Sequence, residues 1–193
     1  MYDSYKIILI GDSGVGKTSM TLRFIKSSIS NVDSTIGAGT YPCKIKVNDI
    51  IQNIKIWDTA GHETYLGLIP QYCRGSHCGI IVFDVTSKES FASINKWIQF
   101  LESHAETFPI IIFGNKTDLE QSRVITNEDA ILEIEPKGFT YCEGSAITGM
   151  GIDQLFYLAT DKAISYANQE NAKRDIPTVR LEAAEKINKS NCC

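Results

Sequence analysis

The chain has 193 residues, 43% of them hydrophobic and 22% charged, which suits one soluble domain with a short appendage and leaves enough chain to bury a substantial core. A net charge of -4 without a basic cluster argues against a nucleic-acid partner, and no apolar run approaches the roughly 18 residues of a membrane span. The opening Met1-Tyr2-Asp3-Ser4 is polar and the apolar run behind it is too short for a signal peptide, while of six cysteines (43, 73, 78, 142, 192 and 193) the four internal ones lack the paired short spacing of a zinc or disulfide framework.

In chain order, residues 5–10 form an Ile-rich apolar run without alternation, as expected of a parallel strand buried on both faces. Gly11-Asp12-Ser13-Gly14-Val15-Gly16-Lys17-Thr18 follows, and a helix-like stretch begins at Met20. Cys43 to Val47 and Asn53 to Trp57 alternate apolar with polar around Asn48-Asp49 and predict a hairpin at the sheet margin, where Pro42 is tolerated. Further buried strands are expected at 79–83 and 109–113. Helices are expected over Lys88 to Ala105 and Ile152 to Tyr166, whose apolar residues recur at helical spacing. Tyr72 to Cys78 holds two cysteines and a histidine, but no second half of a metal site accompanies it and the thiols are read as structural. From Asn171 to Cys193, five basic and three acidic residues are scattered around Pro177, so the chain divides into a domain of residues 1–170 and a flexible tail of 171–193. Alternating strands and helices predict an α/β layered fold with a mostly parallel sheet, its ligand site at the carboxyl ends of the strands.

The octapeptide at 11–18 matches G-x-x-x-x-G-K-[ST] in the context that gives the pattern meaning, a strand before it and a helix after it. Its glycines let main-chain N–H groups turn onto phosphate oxygens, Lys17 adds a point charge, and the Thr18 hydroxyl can ligate Mg²⁺. Asn115-Lys116-Thr117-Asp118 closes an apolar strand at the same sheet edge. A carboxylate there can accept from the N1–H and 2-amino group of guanine, which adenine does not offer, so Asp118 argues for GTP over ATP. Asp58, in Trp57-Asp58-Thr59-Ala60-Gly61, can serve Mg²⁺ through water, and Gly61 can bring its N–H to a γ-phosphate. Thr35, in Thr35-Ile36-Gly37, can use its hydroxyl on the metal and its N–H on the same phosphate. Loops held by one phosphate relax when it leaves, which makes a switch.

In family order, GDSGVGKT, STIG, WDTAGHE, YCRGS, NKTD and GSAI resemble the Ras superfamily of small GTPases and, within it, the Rab family, over roughly residues 4 to 170. The resemblance implies a G domain with a mostly parallel six-stranded sheet, helices on both faces and one antiparallel edge strand. It implies a slow GTPase that binds GTP or GDP with Mg²⁺. The nucleotide contacts would come from Ser13, Gly14, Val15, Gly16, Lys17, Thr18, Ser19, Thr35, Gly61, Asn115, Lys116, Asp118, Ser145, Ala146 and Ile147, and Mg²⁺ would sit on Thr18, Thr35 and Asp58. Lys17, Gly61 and His62 would carry the chemistry. The implied biology is vesicle traffic on the cytosolic face of an endomembrane, with exchange factors, GTPase-activating proteins, a dissociation inhibitor and effectors as partners of a monomer. Cys192 and Cys193 resemble a doubly prenylated end, two lipid chains being what stable anchoring needs.

Several positions depart from the family pattern. His62 stands where glutamine usually positions the attacking water, so hydrolysis is either slowed, to the limit of a GTP-locked binding module, or completed by a partner's side chain. Ile147 replaces a lysine, leaving its N–H for the guanine carbonyl. No aromatic ring stands near Ile29 to cover the base, Thr40 replaces a phenylalanine used with Trp57 and Tyr72 in effector reading, and Thr64 replaces an arginine.

Overall fold

A computed structural model describes residues 3–25, 38–61, 67–104 and 107–174. Strand β1 (Tyr5–Ile10) lies inside a six-stranded sheet of order β2-β3-β1-β4-β5-β6, formed with β2 (Ala38–Val47), β3 (Ile50–Thr59), β4 (Cys78–Asp84), β5 (Ile110–Asn115) and β6 (Thr140–Glu143). All neighbours run parallel except β2, which pairs antiparallel with β3 on the sheet's margin. This is the G-domain sheet expected from the sequence, with its single antiparallel edge.

The absence of alternation in β1 has its cause in two packed faces. Ile7 and Leu9 join a core with Leu155 and Phe156 of α6 (Ile152–Arg174) and Met20 of α1 (Lys17–Phe24). Ile8 and Ile10 join the opposite core, which takes Cys73 of α2 (Ile69–Cys73), Trp97 and Leu101 of α4 (Ile94–His104), and Ala130 and Ile134 of α5 (Asn127–Ile134). Every one of these residues is removed from water, so both faces contribute apolar burial. Cys73 and Cys78 lie in different cores, on opposite faces of the sheet.

Three elements differ from the expectation. The hairpin ladder runs from Ala38↔Thr59 to Val47↔Ile50, longer than its alternating segments, because β3 is held by β1 on its other edge and pairing continues past Gly39, Thr40 and Pro42. Asn48 (φ 49) and Asp49 (φ 64) make the tight turn, a conformation these residue types tolerate. The helix expected over 88–105 is two pieces, α3 (Lys88–Ala92) and α4, separated at Ser93, whose hydroxyl donates to the Glu89 carbonyl at 3.0 Å. Helix α6 passes Tyr166 and residue 170 to reach Arg174. Its last buried residue is Ala167, so the apolar signal ends before the helix does. Residues 175–193, with Cys192 and Cys193, lie outside the described residues, and no described helix is long and apolar enough to cross a membrane.

Candidate functional site

The carboxyl ends of β1, β3, β4 and β5 converge on the 11–18 loop. Gly11 holds φ 140, and a Cβ there would meet the Val82 carbonyl oxygen at 2.2 Å, so only glycine lets β1 leave the sheet this close to β4. Gly16 starts α1 at φ 100 with no side-chain cap and no acidic residue in the first turn, leaving the helix's N–H end and dipole to serve an anion. Ser13 and Gly14 are exposed at the loop crest, Val15 is buried, and Thr18 and Ser19 are half-buried in the first turn of α1.

Lys17 curls back under this loop, 5% exposed, and its Nζ donates to the carbonyls of Gly11 and Asp12, each at 2.8 Å. Burial pushes the ammonium down to about 8, while the carboxylates of Asp58 and Asp12 pull the other way. With two of its three donors on these carbonyls, the ammonium has one N–H to direct at a phosphate oxygen. Thr18 Oγ1 donates to Asp58 Oδ2 at 2.6 Å, so helix α1 and the end of β3 present two hard oxygen donors side by side, a pair that fits Mg²⁺. Gly61 lies against the loop so closely that a Cβ would stand 2.4 Å from the Asp12 carbonyl and 2.5 Å from Lys17 Nζ. Thr35 and His62 lie outside the described residues, as do Ile29 and Thr64.

The second half of the site is tied to the first by Asn115. Its amide donates from Nδ2 to the Val15 carbonyl at 2.8 Å and accepts at Oδ1 from the Ala146 N–H at 3.0 Å, joining two loops to the end of β5 at one buried side chain. Ser145 is fully buried and donates to Asp118 Oδ1, while its hydroxyl accepts the N–H groups of Ile147 and Thr148, both at 3.1 Å. The Ile147 amide is therefore directed to Ser145, and its side chain is 63% exposed. Asp118 is exposed at the rim, where a base can reach its carboxylate. Lys116 takes φ 70 and pairs with Asp84 Oδ2 at 2.6 Å. Burial pushes the Asp84 carboxyl up, but hydrogen bonds from Lys116 and Thr86 outweigh it and hold the group below the usual carboxylate range.

Three supports lie beyond the motifs. Asp84 orients Lys116; Trp97 reaches the 11–18 loop by donating from Nε1 to Asp12 Oδ1 at 2.8 Å; and Glu143 clasps Arg123 with two hydrogen bonds while accepting from Tyr141 at 2.8 Å, beneath the base loops. The position of Asp84, ending an apolar strand at the site edge, is a usable signal in the sequence. Trp97 fits the apolar stripe of a helix and gives none. On the neighbouring face, Thr40 pairs with Trp57 across the hairpin, and the Trp57 and Tyr72 rings lie 5.7 Å apart, with Lys6 Nζ 4.2 Å from the Trp57 ring.

The Ras family profile matches residues 6–165. The chain is 37% identical to the Ras-related protein RHN1 of Nicotiana plumbaginifolia, with 97% of this chain and 94% of that protein aligned. It is 41% identical to the Ras-related protein Rab5 of Nicotiana tabacum over 79% of this chain and 77% of that one. It is 37% identical to RABF2b of Arabidopsis thaliana over 97% and 94%.

Proposed function

The chain belongs to the Ras family of small GTPases, which bind guanine nucleotides and hydrolyse GTP, and from that premise we propose that it is a Rab-type switch of intracellular vesicle traffic. The observation that carries the reading is the pair of hydrogen bonds made by Asn115, which fastens a phosphate loop to a base loop and so fixes the span between the two ends of one nucleotide. In this reading the phosphates lie on the N–H groups of residues 13–19, Lys17 keeps its two carbonyls and turns its third N–H to a phosphate oxygen, and Asp118 and the 145–147 turn meet guanine. Thr18, Thr35 and Asp58 would hold Mg²⁺, which when bound neutralises phosphate charge.

Hydrolysis here is positioning and electrostatics. Lys17 and Gly61 stabilise charge on the transferring group, and His62 orients the water with one ring nitrogen. A histidine offers a shorter and differently directed contact than glutamine, which supports a slow intrinsic rate and a bias toward the GTP form. Effectors and regulators would dock on the face of Thr40, Trp57 and Tyr72, and the monomer would be held peripherally on the cytosolic face of an endomembrane by prenyl groups on Cys192 and Cys193.

Single-turnover hydrolysis of bound GTP at saturating Mg²⁺, for the protein and for His62→Gln, tests the reading. The expected result is GTP-over-ATP selectivity with slow hydrolysis that glutamine accelerates tenfold or more, about 1.4 kcal/mol. Preferential binding of ATP would overturn it. Hydrolysis indistinguishable from the buffer rate would instead favour the second reading, a GTP-locked effector-binding module, for which His62 and Thr64 are the motivating residues.

A further inference from the structure

Asp12 is the hinge on which several contacts of the phosphate loop turn. Its carbonyl accepts Lys17 Nζ at 2.8 Å, and the residue lies beside Gly11, whose φ of 140 belongs to glycine alone. The backbone of Gly61 presses so close that no side chain fits between them. A shift of an ångström at Asp12 would therefore release Lys17 from its resting place and unseat Gly61 together. Asp12 lies beyond the end of β1, where ladder hydrogen bonds no longer fix the backbone, and its side chain reaches across the molecule to α4.

There it meets a donor fixed by packing. Trp97 is 3% exposed within the core of Ile94, Ile98 and Leu101, its ring edge-on to Phe100 at 6.0 Å between centroids. An indole N–H held this way loses little freedom on bonding, and a hydrogen bond to a carboxylate is stronger than one between neutral groups. We propose that Trp97 is a positioning residue of the nucleotide site: by holding Asp12 it fixes the loop path on which Lys17 and Gly61 rest, and it thereby slows nucleotide release. This rests on the reading that residues 11–18 bind phosphates.

The test is the rate of release of a fluorescent GDP analogue from the Mg²⁺-loaded full chain. Trp97→Phe keeps an aromatic ring without the donor, and Asp12→Ala removes the acceptor. Each is expected to speed release about tenfold, and the double variant no more than either alone, because one shared bond is lost once. Asp12→Asn, whose amide oxygen still accepts, should restore release to within about threefold of the unsubstituted protein. Leu101→Ala supplies the readout for a merely structural role. It should lower the thermal midpoint by opening the same core while leaving release unchanged.

Additive effects of the two single substitutions would overturn the proposal, as would Leu101→Ala speeding release as much as Trp97→Phe. If Trp97→Phe does not fold, the contrast between Asp12→Ala and Asp12→Asn decides the matter, equal rates overturning it. An unsubstituted protein that binds the GDP analogue while Trp97→Phe releases it at the same rate overturns the proposal alone. One that binds no guanine nucleotide overturns the switch reading first.

Discussion

Lys17 is a buried cation held on two main-chain carbonyls. Its ammonium titrates near 8 in the folded protein and near 10.5 in an unfolded chain, so between those values the unfolded state binds more protons and the stability of the nucleotide-free protein rises with pH. Below about 8 both states are protonated and this residue adds no slope. Phosphate reverses the burden by favouring the charged form, so nucleotide binding should take up a proton above pH 8 and affinity should fall as pH rises through that range. Calorimetric titration with GDP at pH 9 in buffers of different ionisation enthalpy checks this, and Lys17→Met should abolish the uptake along with much of the affinity. Asn115 makes a different kind of demand. Asn115→Ala leaves the Val15 carbonyl and the Ala146 N–H without their partner in a buried place, and each such group costs about 1–3 kcal/mol. Denaturant unfolding should register that loss even without nucleotide, a result that a residue serving only the ligand would not give.

At the scale of elements, what can be read in the sequence follows how local the cause is. The strand at 5–10, the 11–18 loop and the Asn48-Asp49 turn announce themselves because apolar runs, glycine spacing and left-handed residues act within a few positions. The extra length of β2 and β3 comes from ladder bonds to strands distant in sequence, and the break at Ser93 from one hydroxyl, so neither leaves a periodic trace. Helix α5 is too short to stand out by periodicity, although Thr126 accepts the Asp129 N–H at 3.0 Å, a capping pattern visible in the sequence. Within the site, the residues with a fixed spacing are legible and the supports Glu143 and Trp97 are not, because a hydrogen bond between distant segments has no signature in either. Gly16 joins the two kinds of information. Its φ of 100, and the 2.3 Å that would separate a Cβ at this position from Asn115 Nδ2, make Gly16→Ala strained twice over. That variant should lose nucleotide binding while retaining the sheet by circular dichroism.

Across the whole molecule, the site is assembled from loops, and this sets how the ligand and the fold depend on each other. Helix α1 and the loops after β1 and β6 are bound to the ends of β3 and β5 by a few side chains, whereas the two cores beneath them are continuous and apolar. A nucleotide that touches all these loops joins them at once, and a ligand that binds only the folded state stabilises it by mass action. GDP at a hundredfold over its dissociation constant adds about 2.7 kcal/mol, which for a domain of this size corresponds to a thermal midpoint raised by roughly 5–10 °C. Chelating Mg²⁺ with EDTA should take back much of that rise, because the Thr18 and Asp58 oxygens then face the phosphates without the cation between them. Differential scanning calorimetry of the protein with GDP and Mg²⁺, with GDP and EDTA, and with neither would show three midpoints in descending order. Equal midpoints in the last two would mean that the nucleotide depends on the metal entirely; equality of all three would mean that the loops are not joined by it.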